Sequence, residues 1–481
     1  MLKFLGISTL FVTLAAVIAG CASVKAPSAL PALAGKAGVA AQLTPAAAAA
    51  GLQLGTPSRA WWLDLNDSRL SELVELAMRN NHDRLGALAA VKEARALAGL
   101  ARAEGRPQGA LSAQAQRVQL SSVQADPYSQ GLPRPPAQTL LNIGQMVSWE
   151  VDLFGRVGTA TAIAERQAEA ITADANAATA LLQAEVVRQY VQLRKHQLAL
   201  VQISAELSAL RDRSEQMRLR VQSGLADERE ALAAEGELAG AQAEHTQLNA
   251  GLHAAASALA VLAGRSPAQR DEQWHAMLGT ADLPLMPDAV HLVQPTDLLA
   301  NRPDVVKADA LYRASVGSVV LSERAHLPRL SLSAAIGLEG QSATLGRASA
   351  QTYSGGALLR WDWLDMGRIN ARSQSARASS ERAWHALEQT ALKAIEDSEN
   401  SLRNWLAAQH VLLQSERAEH AARAAADYSE RRRKSGIEPG IQALQMQVAF
   451  LRAHRNTITA QASAIEAFAQ AQLALAAWQP E

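Results

Sequence analysis

Two strings, "SWEVDLFGRV" (Ser148–Val157) and "RWDWLDMGRI" (Arg360–Ile369), set the strongest constraint on this chain, because they make it two copies of one unit. Trp149 and Trp361 are 212 residues apart, as are Gly155 and Gly367. The same spacing relates "QSGLADEREAL" to "KSGIEPGIQAL", through Ser223 and Ser435, Gly224 and Gly436, and Leu232 and Leu444. Upstream the spacing is 221, pairing Asp83 with Asp304, Leu100 with Leu321 and Pro107 with Pro328. The first copy therefore carries extra residues between its proline and its tryptophan. They fall where "ADPYSQGLPRPPAQ" (125–138) places four prolines and a glycine, a surface loop that tolerates insertion.

Short alternating segments flank this loop and its counterpart. Leu111, Ala113 and Ala115 alternate with Ser112, Gln114 and Gln116. Leu141, Ile143, Val147 and Trp149 alternate with Asn142, Gly144 and Ser148. "LSLSAAIGL" puts Leu330, Leu332, Ala334, Ile336 and Leu338 on one face. "YSGGALLRWDW" puts Tyr353, Ala357, Leu359, Trp361 and Trp363 opposite Ser354, Gly356, Arg360 and Asp362. A period of two predicts strands with one apolar and one polar face. Two hairpins give four strands. An open four-stranded sheet cannot sit in lipid with unsatisfied edge amides, so it is either a small soluble sandwich or a share of a barrel closed by several copies.

Each second strand leads into a long proline-free stretch. From Val157 to Val221 the apolar seam runs Leu182, Val186, Gln189, Leu193, His196, Leu200, Ile203, Leu207, Leu210, Ser214, Met217, Val221. Steps of four and three give a left-handed coiled-coil period and about 100 Å of helix. The counterpart runs from Ile369 to Lys434. Gly224 and Gly436 then reverse the chain. Arg218, Arg220 and Arg431 to Lys434 precede the turns, and Asp227, Glu228, Glu230 and Glu438 follow them, a charge order that suits a helical hairpin. Returning seams (Leu248, Leu252, Ala255, Leu259, Leu262; Leu444, Val448, Leu451, Ile458, Ile465) last about 60 Å, shorter than the descending helices. Pre-strand helices over 70–104 and 296–326, about 50 Å each, supply the rest. The break residues 264–288 and both chain ends then form a belt partway along the helices.

The N-terminus adds an address. Lys3, the apolar run Phe4–Gly20 and the sole cysteine, Cys21, have the layout of a secretory signal. "IAGC" fits a lipobox, with Cys21 the acylation site (palmitate among the chains), and in its resemblance to bacterial lipoproteins Ala22 rather than Asp favours the outer membrane; an uncleaved signal anchor and a buried cysteine in an ordinary signal are the other readings. After Cys21 no apolar run approaches the length of a spanning helix. The domain plan is a signal peptide (1–20), a lipidated Ala/Pro/Gly linker (21–60), repeat 1 (61–264), an equatorial connecting segment (265–295) and repeat 2 (296–478).

Together, "IAGC", "WWLDLNDSRLSELVELAMRNN", "SWEVDLFGRV", "LLANRPDVVKADALYRASVGSVVLSERAHLPRLSLSAAIG" and "LLRWDWLDMGRI" resemble the TolC-like outer-membrane efflux factors, in the lipoprotein branch that serves multidrug pumps. The resemblance covers most of residues 17–478. It implies a mainly α fold with a transmembrane β-barrel: a homotrimer closing 12 strands in the outer membrane above a periplasmic α-helical tunnel. It implies partners too, a periplasmic adaptor (membrane fusion) protein and an inner-membrane pump. Trp149, Gly155, Arg156, Trp361, Gly367 and Arg368 fall at the barrel–tunnel junction, where the glycines serve either as bends needing no Cβ or as capping turns. Gly224, Leu225, Gly436 and Ile437 become the periplasmic tips that dock the adaptor. Gln442 and Gln445 fall at the tunnel constriction, where relatives often carry aspartate; simple solvated helix surface fits them equally well. Repeat 1 keeps an acid, Glu230, at the position matching Gln442.

Other classes fit poorly. The net charge is zero, which gives no basic face for nucleic acid. The histidines form no HExxH, one cysteine builds no metal cluster, and no phosphate loop is present, so neither an enzyme, a metal site nor a cofactor is expected. His196, on the seam, reads as a packed or half-exposed core histidine rather than a ligand. A coiled-coil adaptor or scaffold would have one hairpin rather than two plus four strands. A duct for type I protein secretion is the alternative within the channel class.

Overall fold

A computed structural model describes residues 52–54, 60–119, 121, 136–269, 271–287, 290–292, 299–341 and 344–475. The expected signal peptide, Cys21, most of the expected linker and most of the proline-rich loop lie outside the described residues. In chain order the elements are β1 (Leu52–Leu54), α1 (Ser68–Asn80), α2 (His82–Ala103), β2 (Gln108–Val118), β3 (Gln138–Val151), α3 (Arg156–Gln222), α4 (Glu228–Leu262), α5 (Glu272–Leu278), β4 (Val290–Leu292), α6 (Pro303–Glu323), β5 (Arg329–Gln341), β6 (Gln351–Arg360), α7 (Met366–Lys434) and α8 (Gly440–Ala474). No described helix is long and apolar enough to cross a membrane. The chain divides into two compact units; α2, α3, α6 and α7 contribute residues to both.

The first unit, 91–171 with 308–386, holds one antiparallel sheet in the order β2-β3-β5-β6. Strands of 10 to 14 residues match what crosses a bilayer at a tilt. The register carries the predicted alternation across all four strands. The rows Leu111–Gln145–Ile336–Tyr353 and Ala113–Ile143–Leu338, with Val147, Trp149 and Leu332, share one face. Ser112, Asn142, Gly144, Ser148, Ser333, Gly337, Thr352 and Ser354 share the other, interrupted by Leu140, Met146 and Leu358. The apolar face is uncovered: Tyr353 is 89% exposed, Leu111 78% and Ile336 67%. A soluble sandwich would have buried it.

Within this unit the duplication is visible in side chains. Arg102 on α2 pairs with Glu165 on α3, and the counterpart positions hold Glu323 and Arg377, which pair at 2.6 Å with the charges exchanged. The contact has survived while its polarity reversed.

In the second unit (29–90, 172–307 and 387–481 in chain numbering) the seam residues Ile203, Leu207 and Leu210 of α3 meet Ala241 of α4 and Val448 of α8. A larger core joins Trp61, Leu65, Leu70, Tyr190, Trp274, Trp405 and Phe468, with Trp61 edge-on to Phe468 at 5.8 Å. Apolar burial of this kind contributes roughly 2 kcal/mol per large side chain. Here the connecting segment is pinned. The carbonyl of Gly279 accepts from Arg69 (3.1 Å) and from the fully buried Arg194, while Tyr190 donates to Asp67 at 2.7 Å. Burial, then the Asp67 carboxylate, raises the Tyr190 phenol above its ordinary range. Part of the linker is also held, since β1 pairs in parallel with β4. His196 packs as expected, its ring filling the space over Gly251, and burial followed by Lys195 lowers its pKa.

Two expectations need correction. The pre-strand helix of repeat 1 is not continuous. Asn81 ends α1 in an extended conformation and its Oδ1 accepts from the Arg84 N–H at 2.9 Å, capping α2. Its Nδ2 donates to the carbonyl of Leu262 near the end of α4. The counterpart, Arg302, likewise breaks the helix before Pro303 and donates to the carbonyl of Ala474 at the end of α8, at 3.1 Å. In both repeats the breaking side chain ties off the returning helix. Secondly, Trp361 and Trp363 do not extend a strand face: β6 stops at Arg360, opposite Arg329 where β5 begins.

Candidate functional site

The repeated strings mark where strands turn into helices. In repeat 1 the Trp149 indole N–H donates to the carbonyl of Gly105 at 3.0 Å; in repeat 2 the Trp361 indole donates to the carbonyl of His326 at 2.9 Å. Gly105 and His326 are counterparts at the 221 spacing. Each tryptophan thus fastens the outgoing junction to the end of the incoming helix. The bond is compatible with a strand, since Trp149 lies within β3; Trp361 falls outside β6 because Arg360 already pairs with Arg329, the first residue of β5.

The helix starts differ. Asp152 caps α3, accepting from the N–H groups of Val157 (3.0 Å) and Gly158 (2.8 Å). Arg156 grips Glu150 with two bonds of 2.7 Å. In repeat 2 the aspartate is shifted by one position: Asp365 stands directly before α7, and Arg368 pairs with it. The helix consequently begins earlier relative to the repeat, and Gly367 lies inside its first turn. The bend expected at both glycines therefore exists only at Gly155, where φ is +68°. There Arg324 Nη1 donates to the Gly155 carbonyl at 3.0 Å, and an added Cβ would stand 2.7 Å from that nitrogen. At Gly367 an added Cβ meets nothing. Gly155→Ala should destabilise by about 1–2 kcal/mol from the left-handed backbone alone; Gly367→Ala should be neutral or slightly stabilising. Comparing their thermal midpoints checks the asymmetry.

The helix reversals share one geometry. Gly224 and Gly436 both have φ of +71°. Leu225 N–H donates to the Arg220 carbonyl (2.8 Å) and Ile437 N–H to the Arg432 carbonyl (3.0 Å), closing both helices in the same glycine-capped motif. The next residues are apolar and open: Leu225 is 70% exposed and Ile437 63%. Asp227 caps α4, while Pro439 occupies that place before α8 without a side-chain acceptor. Glu438 is engaged, accepting from Ser429 and from Arg432 at 3.0 Å. Glu430 is held down to about 2 by its bond to Arg433, with Lys434 adding to it.

Gln442 and Gln445 are exposed and three residues apart on α8, so they share a face. Glu230 is exposed on α4. A cleft of about 550 Å³ lies beside the repeat 2 reversal, walled by Asp212, Asp427, Glu430, Arg433, Leu444 and Phe450 among others; the two glutamines are not part of it. Among the described residues no group of histidines, cysteines and carboxylates is arranged to hold a metal.

A duplicated chain with a four-stranded amphipathic sheet, uncovered on its apolar face, running into paired helices capped by glycine reversals, defines a TolC-type outer-membrane channel subunit. The outer membrane efflux protein family model matches residues 73–265 and 295–480, and the chain belongs to that family. It is 30% identical to the fusaric acid resistance protein FusA of Burkholderia cepacia over 71% of this chain and 64% of that protein. It is 27% identical to the pyoverdine export outer membrane protein OpmQ of Pseudomonas putida over 85% and 86% of the two chains. The solved outer-membrane channel OprN, 27% identical, superposes with a TM-score of 0.79 over 91% of this chain and 96% of that one. The family consists of channel proteins, not enzymes, which form trimers and work with adaptor and pump partners. This chain is an outer-membrane exit channel of an efflux system and extends into the periplasm.

Proposed function

We propose that three copies close their sheets into a 12-stranded barrel, anchored by lipid at Cys21, and pass small toxic organic compounds received from an inner-membrane pump through an adaptor. The observation that supports this best is the open sheet. Among the described residues β2 pairs only with β3 and β6 only with β5, so both edges carry unpaired amides, which lipid does not tolerate unless another chain pairs with them. The exposed Leu225 and Ile437 give the adaptor apolar anchors at the reversals. Gln442 and Gln445, projecting from one face of α8, supply rings of amides at the constriction. The names of FusA and OpmQ, which concern fusaric acid and pyoverdine, point to small organic cargo here.

Planar-bilayer recording tests the channel. Purified full-length protein should produce discrete conductance steps, and a protein that inserts without conducting would contradict the proposal. The anchor is tested separately: growth with labelled palmitate should label the wild type, and Cys21→Ser should abolish the label while leaving partial export. A mature N-terminus other than Cys21 would overturn that part.

A further inference from the structure

Little charge lies on the polar face of the sheet in the first unit. Among the described residues its strands carry only four charged side chains there: Glu339 toward the loop, and Glu150, Arg329 and Arg360 at the end where strands turn into helices. Arg329 opens β5 and Arg360 closes β6, and the register sets them directly opposite each other. Directly opposed residues on antiparallel strands share a face, with Cβ atoms about 5 Å apart, where like charges repel. Both arginines are exposed, and their charge is barely offset. Arg329 has no hydrogen-bond or ion-pair partner among the described residues. Arg360 makes one contact, from Nε to Asp362 at 3.3 Å, which leaves both terminal nitrogens open. Other basic groups of the junction are engaged: Arg156 by Glu150, Arg324 by the Gly155 carbonyl and Arg368 by Asp365.

The duplication shows that the hairpin does not need these charges. At spacings of 221 and 212 the counterparts of Arg329 and Arg360 are Gln108 and Ser148, which stand opposite each other in the same register and are neutral. Glu150 of repeat 1 is gripped by Arg156. Its repeat 2 counterpart, Asp362, lacks that partner because Arg368 turns to Asp365. Repeat 2 thus replaces a neutral cross-strand pair with two cations and leaves only the exposed Asp362 beside them.

We propose that Arg329 and Arg360 form an oxyanion site on the lumen wall at the base of the barrel, which takes the carboxylate of an anionic solute in passage. This rests on the channel reading above, which makes the polar face the lumen, and it adds a substrate class: small organic carboxylates. Guanidinium groups present parallel N–H donors that match both oxygens of a carboxylate. An anion between the two also removes the repulsion that the pair carries alone. Three copies set three such pairs at one level of the lumen, and rings of arginine favour anions. Asp362 competes for Arg360 and keeps the site weak, as a conduit requires, since binding must permit release.

The test uses full-length protein in detergent and in planar bilayers, with citrate as the probe. Citrate should raise the thermal midpoint of the wild type above its value in sodium chloride of equal ionic strength, because an ion bound only by the folded protein stabilises it. R329Q with R360S, which installs the residues of repeat 1, should remove this difference. Without citrate the midpoint of that variant should equal or exceed the wild type's, since a repulsion has gone; loss of a structural contact would lower it instead. D362N should strengthen the response to citrate. In bilayers, citrate on the outer side should reduce the wild-type conductance, and the double variant should need a several-fold higher concentration for the same reduction. Either single substitution should weaken both responses and serves if the double variant does not fold. Wild-type protein that conducts but responds to citrate no more than these variants overturns the site and leaves the channel standing. Protein that inserts without conducting overturns both.

Discussion

Glu206→Ala is expected to lower the stability of the second unit by about 3 kcal/mol. Glu206 lies on α3 between the seam positions Ile203, Leu207 and Leu210, and its side chain is 1% exposed. It is the centre of an ion network across three helices. Arg452 of α8 donates to Oε1 at 2.6 Å, and Arg455 of α8 bonds Oε2. Arg455 also reaches Glu244 of α4 at 3.2 Å, and Arg213 of α3 holds Glu237 of α4 at 2.7 Å. Removing one member of a buried pair costs about 3–5 kcal/mol, mostly because the partner is left uncompensated. Here Arg455 keeps Glu244 and Arg452 is partly solvated, which places the loss at the low end. The midpoint of thermal loss of helical ellipticity should fall by several degrees. An unchanged midpoint would show that the network adds nothing net to stability. The exposed pairs along these helices, such as Arg79–Glu75, should each contribute well under about 1 kcal/mol by the same measurement.

Gln445→Asp is expected to convert a weakly selective mouth into a cation-selective one. Selectivity in a narrow pore follows the charge of its lining. Three amides offer only dipoles, whereas three carboxylates would concentrate cations and bind multivalent ones. Planar-bilayer recordings should show a several-fold rise in cation preference and stronger block by multivalent cations from the periplasmic side. Strong cation selectivity in the wild type with no change in the variant would remove Gln445 from the constriction. Glu230 would then be the better candidate, since Glu438 is already held by Ser429 and Arg432.

Much of the architecture was legible because duplication prints itself at fixed spacing and period-two and seam patterns are local. The reversals at Gly224 and Gly436 followed from glycine between basic and acidic runs. What the sequence hid was set by contacts between distant segments. Asn81 looked like a helix residue because nothing nearby announces that its amide ties to Leu262. Glu206 carries no local sign of its burial, because the two arginines that bond it come from α8. The aspartate shifted between positions 152 and 365 is visible in the strings, whereas the bond from Arg324 to Gly155 is not, because it joins distant segments and the repeat 1 counterpart of Arg324 is Ala103. The roles proposed for Gln442 and Gln445 depend on contacts between copies, which the sequence of one chain does not carry.

The central claim is that one chain cannot complete the membrane-spanning sheet and three can. Multi-angle light scattering of the full-length protein extracted from membranes, corrected for bound detergent, measures this directly. Three chains per particle is the predicted result. A monodisperse particle of one chain, still folded and still membrane-inserted, would contradict it.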